Sequence, residues 1–255
     1  MDNLKVQSIQ EILAMPEQKI EYLVQPQILS TGGTLIVYGA QESWKSWLGI
    51  ELAFSIAEGH KWLGVFEVKR ARVLLLQTEQ SEPIYRKRLI KFSQNYNSNH
   101  PQGALFCVTD LTFQLDNPLG IAYLEIAIKQ YTPDVVIIDN LYHVVAGGLG
   151  DEKNGLKVVY GIDSLRQKYN TAFVLLAHPR KTVESDSAYE DIENLFGWSG
   201  YKNWADTVVK LSKTEVEDKV FMSFQKGKNF EVEKGSLNVM LQGSKRTARL
   251  VPIWS

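Results

Sequence analysis

The chain has 255 residues, 44% of them hydrophobic and 22% charged, with a formal net charge of -1. That length suits a single α/β domain, and a balance so close to neutral excludes a protein that binds nucleic acid over its whole surface. The single cysteine, Cys107, excludes an internal disulfide or a four-cysteine zinc site; no apolar run approaches the roughly 20 residues that span a bilayer, and the early Asp2, Lys5, Gln7 and Glu11 do not make a signal peptide, so a cytoplasmic protein is expected.

Residues 1–30 read as a lead-in segment, ahead of one domain over 31–255. Ser8 and Glu11 have the spacing of a helix capping box, with Ile9, Ile12 and Leu13 as a small apolar face. Gln25-Pro26 and Gly32-Gly33 punctuate the passage into the first strand, Thr34 to Tyr38. A helix follows through Trp47, Leu48, Ile50, Leu52, Phe54 and Ile56, with Gly59 as its stop. Arg72 to Gln77 is a buried strand, and Pro83 opens a helix carrying Tyr85, Leu89, Ile90 and Phe92. Its Arg86-Lys87-Arg88 cluster, with Lys91, forms a basic patch that a solvated helix face explains. Leu105 to Val108 is the next strand, and Cys107 within it is expected to be a buried thiol. Ile121 to Tyr131 is an amphipathic helix, Val135 to Asp139 a strand, His143 to Gly155 a loop, Leu156 to Tyr169 a helix, and Thr171 to Ala177 a strand. Residues 181–199 are polar and acidic, the mark of a long loop. From Ala205 the texture changes to short strands at 208–211, 220–224, 236–241 and 248–251. Apolar strands alternating with amphipathic helices indicate a mostly parallel sheet covered on both faces, here with a C-terminal antiparallel β extension.

Ligands of an open α/β sheet bind beyond the carboxyl ends of its strands. The chemistry-bearing residues fall there. Gly39-Ala40-Gln41-Glu42-Ser43-Trp44-Lys45-Ser46, with Trp47 just inside the helix, has the strand–loop–helix layout of a phosphate-binding loop. Lys45 would reach the β and γ phosphates of ATP, and the Ser46 hydroxyl would hold Mg²⁺. Trp44 departs from the GxxxxGK[ST] pattern, because it stands where a glycine relieves a crowded turn. Glu79 follows the second strand and is placed to polarise a water, with Glu82 as a competitor. Asp139 closes four apolar residues and would hold Mg²⁺, although such an Asp also caps turns. His178 would sense the γ-phosphate, and the four histidines show no metal-ligand spacing.

Together these residues resemble the RecA-type ATPases, and within them the RepA-like plasmid and phage replicative helicases. Ala177-His178-Pro179-Arg180-Lys181 is similar to that group's sensor segment. Gly197-Trp198-Ser199-Gly200, followed by Trp204-Ala205-Asp206, is similar to its block before the β-rich tail. The resemblance spans roughly residues 27–245. It implies a hexameric ring of identical chains in which Lys226 and Lys228, on the segment Phe224 to Asn229, reach the neighbouring subunit's nucleotide. A lysine fits phosphate less well than the arginine relatives commonly carry.

Three functions are compatible with this reading. In the first, an ATP-driven ring threads single-stranded DNA past loops at 143–155 and 181–197, with Lys153, Arg180, Lys181 and Tyr189 as candidate contacts. In the second, the ATPase is a switch or assembly factor acting on a protein. In the third, Trp44 marks a binding module that no longer hydrolyses ATP; the retention of Lys45, Ser46, Glu79 and Asp139 argues against it.

Overall fold

A computed structural model describes residues 6–17, 19–94, 104–148, 150–178, 198–228, 230, 234–244 and 249–253. The chain opens with a short helix, α1 (Ile9–Leu13), closed by the expected box: Glu11 N–H donates to Ser8 Oγ (3.2 Å) and Ser8 N–H to the Glu11 carboxylate (2.6 Å). No residue of α1 is buried. Strands β1 (Tyr22–Val24) and β2 (Leu29–Ser30) pair with each other, and their Leu23, Val24 and Leu29, with Ile28 of the turn between them, enter the core.

Six parallel strands then form one side of a single sheet: β3 (Thr34–Gly39), β4 (Val73–Gln77), β5 (Leu105–Thr109), β6 (Val135–Asp139), β7 (Ala172–Ala177) and β8 (Thr207–Lys213). Three antiparallel strands extend it: β9 (Lys219–Gly227), β10 (Val239–Ser244) and β11 (Arg249–Pro252). The order is β11-β10-β9-β8-β3-β7-β6-β4-β5. The strand expected at 208–211 therefore belongs to the parallel part, and the antiparallel extension begins one strand later.

Why the central strands read as unbroken apolar runs is visible in the two cores. Successive side chains point to opposite faces. Leu35, Val37, Leu75, Ile137 and Val174 pack on one face, against α2 (Lys45–Glu58) and α3 (Glu82–Ser93). Ile36, Leu74, Val136, Ile138 and Phe173 pack on the other, against α4 (Pro118–Tyr131) and α5 (Glu152–Tyr169).

Other boundaries differ from expectation for local reasons. Helix α4 begins three residues early because Asn117 caps it, its side chain accepting from Leu119 N–H, ahead of Pro118. Helix α5 begins at Glu152 because Asp151 accepts from Asn154 N–H, which shortens the expected loop. In place of a strand from Ser236, a 3-10 turn occupies Lys234–Leu237; the Asn238 side chain takes Phe224 N–H, and ladder pairing starts at Val239. Cys107 is exposed on the edge strand β5, which corrects the expectation of a buried thiol. A short helix that the sequence did not announce, α6 (Gly200–Trp204), precedes β8. The expected loop at 181–197, with Arg180, Lys181 and Tyr189, lies outside the described residues, as do Pro179 and Gly197.

Candidate nucleotide site

The strands carrying the candidate residues are neighbours in the order β3-β7-β6-β4. Their carboxyl ends are level, since Tyr38 pairs with Ala177, Leu176 with Asp139, and Asp139 with Gln77. The sheet thus delivers the phosphate loop, His178, Asp139 and Glu79 to one edge. A cleft of about 450 Å³ opens there, lined among others by Gln41 to Trp47, Glu79, Arg88, His178 and the β8–β9 hairpin.

The loop turns tightly. A Cβ at Gly39 would lie 2.5 Å from both the Leu211 carbonyl oxygen and Ser43 Oγ, so only glycine fits beside β8. The Lys45 ammonium donates to the carbonyls of Gly39 (2.7 Å) and Ala40 (2.6 Å). Burial pushes it down to about 8, against the pull of the Asp139 and Glu79 carboxylates. A buried cation resting on neutral carbonyls is suited to an incoming anion. Trp44 takes the left-handed conformation (φ 68°, ψ 12°) that a glycine there would adopt freely. Its indole is buried against Gly243 of β10, where an added Cβ would lie 2.4 Å from the ring. Trp44 thus packs within its own domain.

Ser46 Oγ donates to Asp139 Oδ1 across 3.1 Å. Burial pushes Asp139 up to about 6, while the Ser46 hydrogen bond draws it the other way. A hydroxyl beside a carboxylate is a hard-oxygen pair that fits Mg²⁺, whose other positions phosphate and water oxygens fill. Among the described residues no cluster of three or more His, Cys, Asp or Glu side chains is placed to hold a metal without such help.

Two residues not singled out in the sequence build the rest of the site. Gln77, buried at the end of β4, accepts from the backbone N–H groups of Glu79 (2.9 Å) and Gln80 (2.8 Å), and so shapes the turn that carries Glu79. Asn140, joined to Asp139, donates to Glu79 Oε2 (2.9 Å), lies 3.5 Å from His178 Nε2, and accepts from His143 N–H (3.3 Å). One amide therefore joins the carboxylate, the histidine and the loop after β6. Burial, with Lys45 nearby, holds His178 below its ordinary imidazole value, so it is neutral at pH 7. An amide at the end of an apolar strand looks like ordinary turn polarity, and only the adjacency of β4, β6 and β7 reveals its reach.

Lys226 and Lys228 are not brought into this cleft. Val208 pairs with Lys226, and Thr207 with Gly227, which places both lysines near the amino end of β8. Lys226 donates to the carbonyls of Lys202 (2.6 Å), Asn203 (2.9 Å) and Ala205 (2.6 Å), and Lys228 to that of Trp204 (2.8 Å) and to Asp206 (3.2 Å). These bonds satisfy the carboxyl end of α6.

Residues 2–184 match the family described as an AAA domain. No curated protein matches the chain. Among solved structures it is similar to one described as an ATPase domain, at 12% identity and a TM-score of 0.66, with 88% of this chain and 86% of that one covered. It is also similar to the KaiC-like protein PH0186 from Pyrococcus horikoshii OT3, at 12% identity and 0.64, with 94% and 100% covered. A third likeness is to the flagellar accessory protein FlaH from Methanocaldococcus jannaschii, at 14% identity and 0.62, with 88% and 91% covered. At these identities the likeness is one of fold, and it extends over nearly the whole of each chain. The matched family and the shared fold agree with the loop, the strand order and the sheet edge just described: the chain belongs to the AAA domain family and is built as a RecA-type P-loop ATPase domain.

Proposed function

We propose that the protein hydrolyses ATP with Mg²⁺ at this cleft, as one subunit of a homo-oligomeric ring, and couples turnover to movement along single-stranded DNA. The observation that supports hydrolysis is the convergence of Lys45, Ser46, Asp139, Glu79 and His178 on one sheet edge, with Asn140 joining Glu79 to His178. Lys45 and the loop N–H groups bind and orient the phosphates. Glu79, aimed by Gln77 and Asn140, holds the attacking water and takes its proton. His178, neutral at pH 7, lies where loss of the terminal phosphate would be felt and passed through Asn140 to the loop after β6. Ser46 and Asp139 would hold Mg²⁺, which when bound neutralises charge on the phosphate oxygens.

A second reading, an ATP-driven switch or assembly factor acting on a protein partner, draws support from Lys226 and Lys228. Their ammonium groups are engaged by α6 and Asp206 within the chain, and across-interface action would require those bonds to be released. One measurement separates the readings: the ATPase rate with and without single-stranded DNA, taken beside molar mass in solution. DNA stimulation of a ring is the expected outcome, and a DNA-indifferent monomer or dimer selects the switch. Under either reading Lys45→Ala abolishes turnover, while Glu79→Gln still binds ATP and turns it over at least about a hundredfold more slowly. Undiminished hydrolysis by Lys45→Ala would remove the assignment of the site.

A further inference from the structure

The phosphate loop faces a second lysine, which its own sequence does not supply. Strand β8 lies in parallel register with β3, Leu211 opposite Gly39. β3 ends at that glycine, whereas β8 runs two residues further, to Lys213. Side chains two apart in a strand share a face, so Lys213 stands past Leu211, beside the first residues of the loop, and lines the cleft there. Its ammonium lies 3.6 Å from the carboxylate of Glu42, a residue of the loop itself. Burial is the main reason the Lys45 ammonium titrates low, and the charge of Lys213 lowers it further. The turn beyond Lys213 is fixed from behind. Thr214 Oγ1 is within hydrogen-bond reach of the Val216 (3.1 Å) and Lys219 (3.2 Å) carbonyls, and the Gly243 N–H donates to that of Asp218 (2.6 Å).

The pair with Glu42 is easily opened. The side chain of Glu42 is 83% exposed and that of Lys213 49%, so water screens their attraction. A polyphosphate carries more charge than one carboxylate and competes well for the same ammonium. Position decides which phosphates it meets. Ser46, Asp139 and Glu79 mark the end of the cleft that suits a terminal phosphate, on the β6 and β4 side of the loop, and Lys213 is on the β8 side. Its charge therefore reaches the part of the phosphate chain that ADP and ATP share.

We propose that Lys213 is a second phosphate-binding lysine of this cleft, and that Glu42 is an internal competitor which the inner phosphates of a nucleotide displace from it. This inference rests on the nucleotide reading of the cleft and adds a regulatory contact to it. The loop carries its own acidic occupant, so affinity is set by an exchange of partners at one ammonium group. Nucleotide binding also replaces the tie between the loop and the β8–β9 turn with one that runs through the ligand.

Titration of the full chain with Mg-ADP and with Mg-ATPγS tests it. Lys213→Ala should weaken both by about fivefold or more and by the same factor within about twofold, and Lys213→Arg should keep most of the affinity. Glu42→Gln should tighten both by about two- to fivefold, a gain that vanishes when Lys213→Ala is added and shrinks in about 1 M salt. Exposed Glu215→Gln, on the same turn, should leave both affinities within about twofold. Unchanged binding by Lys213→Ala, or a loss confined to ATPγS, would overturn the placement of Lys213. A Glu42→Gln gain that persists without Lys213, or that Glu215→Gln reproduces, would overturn the exchange. Lys45→Ala keeps the two levels apart. If it loses both nucleotides while Lys213→Ala binds them normally, the inference fails and the site stands. If Lys45→Ala binds both normally, the site itself is wrong.

Discussion

Asp139 is pulled in two directions by the place that makes it useful. Its pKa rises from 3.8 to about 6 because the folded chain strips water from the carboxyl group. The sign follows from linkage. A carboxyl raised on folding favours the native state most below about pH 4, and that contribution is lost as pH rises to about 6 and beyond. Mg²⁺ binding has the opposite slope, because the proton competes with the ion for the same oxygens. Mg²⁺ affinity in the presence of ATP should therefore fall about tenfold between about pH 7 and about pH 5. Titrating Mg²⁺ at several pH values checks this; Asp139→Asn should flatten the profile, and a slope unchanged in that variant would assign the titration to another group.

At the scale of elements, the phosphate loop is tied to the far end of the sheet through Trp44. A left-handed backbone costs a non-glycine residue about 1–2 kcal/mol, whereas emptying a buried aromatic site removes about 3–5 kcal/mol. Packing wins, which explains how a tryptophan is held where the loop pattern has glycine. Trp44→Gly should lower unfolding stability by about 1–4 kcal/mol while the loop conformation itself becomes easier. Denaturant unfolding of the two proteins measures the difference. A more stable variant would mean that strain outweighs packing.

The elements also show what a linear reading reaches. Capping residues are legible because they act on their own neighbours: Ser8 with Glu11 marks α1, and Asp151 marks the start of α5 to a reader who takes it as a cap. The strands are legible because burial on both faces leaves continuous apolar runs, and their carboxyl ends gave Lys45, Glu79, Asp139 and His178 as candidates. Gln77 and Asn140 were not legible, since each acts on a residue that only strand order brings near. The same holds for Trp44, whose partner Gly243 is far along the chain. Cys107 was misjudged because an edge strand and a central one look alike in composition.

For the molecule as a whole, Asp206 is a junction between distant parts of the chain. Its carboxylate accepts from the Thr34 backbone N–H (3.0 Å) and hydroxyl (3.0 Å), from Arg166 of α5 (3.3 Å) and from Lys228 after β9 (3.2 Å). Burial alone would raise its pKa, but the hydrogen bonds from Thr34 and Lys228 prevail and lower it. The phosphate strand, the last helix before β7 and the antiparallel extension are thus joined at the edge opposite the cleft. Asp206→Ala should reduce stability by about 2–3 kcal/mol, with Asp206→Asn recovering part of it. Chemical unfolding of both variants tests this, and a change below about 0.5 kcal/mol would show that the junction is dispensable.

The contact between Trp44 and Gly243 has a consequence for inheritance. Two positions so far apart in sequence cannot drift independently, because any side chain at 243 collides with the indole and a glycine at 44 removes the reason for the gap. Relatives with the ordinary glycine in the loop are therefore free to carry a larger residue in the penultimate strand, and an exchange of C-terminal hairpins between such proteins succeeds only when both sites travel together.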